Sequence, residues 1–253
     1  MLEVTSLCKS FESGFWRNKK VKAVDDVSFE IHDGEIFGLI GGSGCGKTTT
    51  SRMIMGFLKP NSGSIRYNGC ELTTLKKKEW LAMRQEIQIV FQNPQMTFNP
   101  RATIYDCCAE PIRLFHLAEN REEERVMVYE MLDSIGVSRD QINKYPHEIS
   151  GGQAQRISII RALSLNPKLL VCDEPTSMLD VSVQAQVVEL IKEKQREKGI
   201  SILYVSHDLD VIKAVCQRIA VMNEGRIVEM GIAEEIFNCP KHSYTQRLMS
   251  SVI

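Results

Sequence analysis

Short runs of β-branched and aliphatic residues alternate along the 253-residue chain with stretches whose apolar positions recur every three or four residues. That alternation predicts an α/β fold, with parallel strands joined by helical crossovers. VDDVSFEI (24–31) and IFGLI (36–40) read as strands joined at the HDGE turn, and a helix is expected over about 48–56. IRYNGCEL (65–72) reads as a hairpin turning at Asn68–Gly69. IQIVF (87–91), LLVCD (169–173) and ILYVS (202–206) lack polar alternation, as strands covered on both faces do. A helix is expected near 183–198, and RIAVM (218–222) turns through Asn223–Glu224–Gly225 into RIVEM (226–230). Beyond Ile232 the pattern predicts one or two short helices.

Between about 94 and 150 no strand pattern appears, only helical ones such as REEERVMVYEMLDSIG (121–136). The expectation is a single domain over 1–253, with a helical subdomain at about 94–150 inserted into its sheet and a helical tail at about 232–253. The one basic run, Lys76–Lys77–Lys78 with Arg84 nearby, reads as a solvated helix face.

Composition narrows the class. Apolar content of 43% and charged content of 25% are those of an ordinary globular protein. A formal net charge of −1 gives no reason to expect a nucleic-acid partner. The eight cysteines form no CxxC pair, which argues against zinc or iron–sulfur ligation and suits small buried side chains. MLEVTSLCKSFE lacks the basic-then-apolar order of a signal peptide, and no apolar run approaches bilayer length, so a cytosolic location is expected.

The candidate chemistry starts at GGSGCGKT (41–48), which fits G-x-x-x-x-G-K-[ST] between a strand and a helix. Gly41, Gly42, Ser43, Gly44, Cys45, Gly46, Lys47, Thr48 and the adjoining Thr49 are the expected nucleoside triphosphate cradle. Backbone N–H groups from Gly42 to Thr48 would wrap the α- and β-phosphates. Lys47 would bring a point charge to the β- and γ-oxygens, and Thr48 a hydroxyl to Mg²⁺. LLVCDEPT (169–176) sets Asp173 and Glu174 at a strand end, where ligands of open α/β sheets bind. Asp173 is the expected Mg²⁺ partner and Glu174 the group that polarises an attacking water. His207 closes another buried strand; alone it would be a polar cap, but beside a γ-phosphate it can bond an oxygen and sense hydrolysis. Gln92, after strand 87–91, can reach the metal or the water. A second anion-binding helix start stands at ISGGQ (149–153), where Ser150, Gly151, Gly152 and Gln153 open an amphipathic helix.

In order, GGSGCGKT, VFQNP, ISGGQ, LLVCDEPT, SMLD (177–180) and VSHD (205–208) resemble the motif set of the nucleotide-binding subunit of ABC transporters, essentially end to end. Ile149 in place of leucine and Thr48 in place of serine are mild departures. The resemblance implies a P-loop NTPase domain with a mainly parallel RecA-like core sheet, an N-terminal antiparallel β-subdomain and an inserted helical subdomain. It implies an active ATPase with ATP and Mg²⁺. It also explains two cradles in one chain: the ISGGQ helix start caps the γ-phosphate held by the other subunit of a head-to-tail dimer. Asp180 resembles the aspartate that carries coupling across that interface, and Phe11 the aromatic that stacks on adenine, with Phe15 and Trp16 as alternatives.

FQNPQMTFNPRATI (91–104) and PKHSYTQRLMSS (240–251), with Ser243 where proline is usual, are similar to the oligopeptide, dipeptide and nickel import branch. That likeness implies a second ABC ATPase subunit of different sequence, two transmembrane permeases, and an extracytoplasmic substrate-binding protein acting indirectly. It puts the chain on the cytoplasmic face of the cell membrane. Peptide against nickel, and homodimer against heterodimer, stay open at this stage. A non-importer ABC ATPase acting on another membrane complex is the alternative.

Overall fold

The computed structural model describes residues 1–13 and 19–250. From the N-terminus, β1 (Leu2–Ser13), β2 (Lys19–Ile31) and β3 (Ile36–Ile40) lead into α1 (Lys47–Ile54). The hairpin of β4 (Ser62–Tyr67) and β5 (Cys70–Glu71) precedes α2 (Lys77–Glu86) and β6 (Ile87–Val90). Then come α3 (Ile104–Leu114), α4 (Arg121–Asp133) and α5 (Gly151–Leu163). Next are β7 (Leu169–Asp173), α6 (Val181–Lys198), β8 (Ser201–Ser206) and α7 (Leu209–Val215). The hairpin β9 (Arg218–Asn223) and β10 (Arg226–Ile232) is followed by α8 (Ala233–Asn238) and α9 (Ser243–Ser250).

Two sheets result. One runs β10-β9-β3-β8-β7-β6, with β9, β3, β8, β7 and β6 parallel and β10 antiparallel at its edge. All of β3, β7 and β8 is buried, as the uninterrupted apolar runs predict. The other sheet, β2-β1-β4-β5, is antiparallel. One face of the parallel sheet packs with α5, α6 and α7, and the other closes over the antiparallel sheet and α1. The two hairpins turn as read: Asn68 (φ 48) with Gly69 (φ 79), and Glu224 (φ 46) with Gly225 (φ 83), take the left-handed pairs that two-residue loops need.

The strand character of 2–13 is not evident from the sequence, for a physical reason. Inward residues run Leu2, Val4, Leu7, a spacing that breaks period two. Ser6 sits at φ 46 where the register slips, and Asp26, between inward Val24 and Val27, sits at φ 57. Two facing bulges thus keep the apolar faces inward at the cost of alternation. β2 likewise starts at Lys19 instead of 24, in a polar stretch paired to β1. Lys77 and Lys78 do lie in a helix, α2, whose basic start is offset by Glu79 accepting from the Lys76 N–H at 2.6 Å. Between β6 and β7 the described elements are all helical. Among the described residues no helix is long and apolar enough to cross a membrane.

The helices α3 and α4 are locked by one ionic network. Arg113 donates to Glu124 through Nε (2.8 Å) and Nη2 (2.7 Å), and to Asp106 through Nη1 (3.0 Å), while the Tyr105 hydroxyl donates to Glu124 (3.0 Å). The Arg113 guanidinium holds the buried Glu124 carboxyl below the usual range against the opposing effect of burial. The network's contribution is therefore full above the ordinary glutamate range and lost as pH falls through the lowered folded value. Arg113→Met should lower stability by about 1–2 kcal/mol at neutral pH. Denaturant titrations across pH 3–7 should also show a flatter acid limb than the parent's.

Candidate nucleotide site

Because β3, β8, β7 and β6 are parallel neighbours, their carboxyl ends emerge along one edge of the sheet. Just past these ends stand the glycine loop, starting at Gly41 after β3, and three polar side chains: His207 after β8, Glu174 after β7, and Gln92 two residues beyond β6. Because β3, β7 and β8 are buried along their whole length, polar side chains of these strands meet solvent only at the strand ends.

The glycine loop is shaped by close backbone approach. At Gly41 (φ +150) a Cβ would lie 2.1 Å from the Met222 carbonyl oxygen, and at Gly46 (φ +112) 2.2 Å from that of Ala23. Only glycine lets β9 and β2 crowd the loop this way. Lys47 is buried, and its ammonium donates to the carbonyl oxygens of Gly41 (2.7 Å) and Gly42 (3.0 Å). The Thr48 hydroxyl donates to Asp173 Oδ1 at 3.3 Å. Burial raises the Asp173 carboxyl above the usual range; the hydrogen bond from Thr48 opposes this and the Glu174 carboxylate adds to it.

Glu174 leaves β7 in the left-handed region at φ 51, its N–H donating to the Val205 carbonyl (2.9 Å). A non-glycine residue held there is strained, and such strain clusters at working sites. The Gln92 amide donates to Glu174 Oε2 (3.2 Å), and His207 Nδ1 lies 3.2 Å from Glu174 Oε1. One carboxylate is thus gripped from β6 on one side and from β8 on the other. The pocket at the loop is lined by Ala23, residues 43–49, Gln92 and Glu174.

Other residues expected at the site lie elsewhere. Ser150 caps α5, its hydroxyl accepting from the Gln153 N–H (3.2 Å) while Gln153 Oε1 accepts from the Ser150 N–H (3.0 Å). A Cβ on Gly151 would meet open space, whereas Gly152 lies against Val183 of α6, 2.6 Å from a Cβ there. None of 150–153 lines the pocket at Lys47. Asp180 caps α6, accepting from the Ser182 hydroxyl (2.6 Å) and the Val183 N–H (3.0 Å), and the Ser182 hydrogen bond holds its carboxyl low. Phe11 is exposed on β1 opposite Val21, with the Lys9 ammonium 5.6 Å from its ring centre, and does not line the pocket. Phe15 and Trp16 lie outside the described residues.

Two participants escaped sequence reasoning. Ala23 borders the pocket through an antiparallel strand from the second sheet. Tyr244, on α9, accepts from the Gly42 N–H at 2.9 Å, so this loop donor is already engaged instead of being free for a phosphate as expected. The quoted PKHSYTQRL segment was the available signal, but nothing in it points 202 residues back along the chain.

Gly46→Ala should force the loop off Ala23 and weaken nucleotide binding about fivefold or more, from about 1–3 kcal/mol of strain and displacement. Gly44→Ala, where a Cβ meets nothing within 4 Å, should weaken it less. Calorimetric titration of both variants checks the order.

A scan against family models matches residues 24–177 to the ABC transporter family. The oligopeptide transport ATP-binding protein OppF of Escherichia coli (strain K12) is 46% identical, over all of this chain and 77% of its own length. OppF of Streptococcus mutans is 42% identical over all of this chain and 81% of its own length. Among solved structures, a dimeric post-hydrolysis state of an ATP-binding cassette bound to ADP and Pi superposes with a TM-score of 0.82. It shares 27% identity, covering 92% of this chain and 99% of that one. With the glycine loop, the paired acids and the capped ISGGQ helix standing in this fold, the chain belongs to the ABC transporter family.

Proposed function

We propose that this chain is the ATP-hydrolysing subunit of an ABC importer for oligopeptides, driving partner permeases by ATP-dependent dimerisation. The observation that carries the catalytic reading is the grip on Glu174 by Gln92 and His207, at the same edge as Lys47 and the Thr48–Asp173 pair. Lys47 would leave its carbonyls for the β- and γ-phosphate oxygens. Glu174 would orient and polarise the attacking water, His207 would bond a γ-oxygen, and Gln92 would report the γ-phosphate to the helical segment that begins beside it.

The donor set suits Mg²⁺. Among the described residues no cluster of three or more His, Cys, Asp or Glu side chains stands ready to cage a metal. One hydroxyl (Thr48), one carboxylate (Asp173) and the Gln92 amide suit an ion that keeps waters and takes its remaining ligands from phosphate. When bound, the dication neutralises charge on the β- and γ-phosphates, which also favours the ionised form of Asp173.

Ser150, Gly151, Gly152 and Gln153 would act in trans. Their capped helix start, the open space beside Gly151, and exposed Met178 and Val181 flanking Asp180 suit a face that another subunit covers. The dimeric solved cassette is a precedent for such pairing. Residues 94–150 act as a helical arm, and a groove runs beside it between α2, α3 and α5. Exposed Leu81, Met96 and Leu114 line this groove with Arg84 and the ion pair of Arg161 with Glu110, an apolar surface with charged groups at its edge suited to a permease's amphipathic cytoplasmic helix. The OppF relatives favour oligopeptides over nickel as cargo, and the subunit would sit on the cytoplasmic face of the membrane.

Gentle detergent extraction of native membranes, pull-down of this chain and mass spectrometry of its companions test the assembly. Two multi-span permeases and a second, nonidentical ATPase are expected. Recovery of only soluble or single-span companions would contradict the importer and leave the non-importer ATPase.

A further inference from the structure

The peptide unit between Gly41 and Gly42 is held from both ends. Its carbonyl accepts the Lys47 ammonium at 2.7 Å, and its N–H donates to the Tyr244 hydroxyl oxygen at 2.9 Å. A trans peptide is rigid, so fixing the N–H direction fixes the opposed carbonyl. The approach is close: a Cβ on Gly42 would lie 3.1 Å from the same hydroxyl.

Tyr244 is itself firmly mounted. Its half-buried ring packs on the main core, and α9 is anchored through the turn before it. There the Glu229 carboxylate of β10 accepts from the N–H groups of Lys241 (2.9 Å) and His242 (3.0 Å). β10 pairs with β9, and β9 with β3, the strand that feeds the glycine loop. α9 is thus bolted to the same sheet that carries the cradle and reaches the cradle through the Tyr244 hydroxyl.

We infer that Tyr244 is a positioning residue of the nucleotide site: it pre-sets the Gly41–Gly42 peptide, and through that carbonyl the resting place of Lys47. This rests on the reading of residues 41–48 as a phosphate cradle. Two effects of the bond oppose each other. Tyr244 polarises the peptide and so tightens the carbonyl's hold on Lys47, a fractional strengthening of one bond. It also spares the loop the search for its bound shape and leaves no half-buried N–H unpaired, which is worth a whole hydrogen bond. The second effect is larger, so losing the hydroxyl weakens binding.

Mg-ADP titration of the full chain, with steady-state ATPase assays, tests this. Tyr244→Phe, which keeps the ring, should raise the Kd for Mg-ADP and the KM for ATP roughly three- to tenfold, with kcat within about twofold of the parent. Glu229→Gln, which loosens the mount, should shift both the same way by less, and Arg247→Ala, exposed on the same helix, should shift neither. If Tyr244→Phe lowers only the melting temperature and leaves Kd unchanged, the hydroxyl is a packing contact and the inference fails. If the parent chain binds no Mg-ADP, the cradle reading fails and takes the inference with it.

Discussion

Everything at the nucleotide edge depends on one constraint: the central strands β3, β7 and β8 are covered on both faces. A strand with no solvent-facing side carries its polar chemistry at its end or just past it. Since β6, β7, β8 and β3 run parallel, those ends share an edge, and Gln92, Glu174, His207 and the glycine loop meet there although 166 residues separate Gly41 from His207. The same burial keeps Asp173, the last residue of β7, poorly solvated and its carboxyl raised. A polar cluster held at such an edge suits a ligand bringing both phosphate and dication.

Local backbone geometry then turns two neighbouring acids toward different partners. Asp173 stays within β7 and faces Thr48. Glu174, forced to φ 51, turns toward Gln92 and His207. In the proposed mechanism that division matters more than either acidity, because phosphoryl transfer asks chiefly for positioning and charge compensation. In the same proposal the Gln92 contact would give γ-phosphate chemistry a route out of the core, since the chain beyond it runs directly into the helical segment and the exposed groove at Met96.

What the sequence disclosed follows from how local each signal is. The buried strands, the glycine loop and both tight hairpin turns are written in consecutive residues, and each stands where it was expected. The helix start at Ser150–Gln153 was equally legible, because a capping box and a glycine pair are local chemistry. β1 was hidden because the bulges at Ser6 and Asp26 break the alternation that betrays a strand. Tyr244 was hidden for a different reason: its partner is a backbone N–H far along the chain, brought near only by sheet order.

The division of labour at Glu174 is best measured on Glu174→Gln, which keeps the shape and removes the charge. If Glu174 polarises the water, ATP turnover should fall at least a hundredfold, while size-exclusion chromatography with ATP shows a persistent dimer of ABC subunits. Hydrolysis at the parent rate, with no accumulating dimer, would contradict the role assigned to this carboxylate and to the residues that grip it.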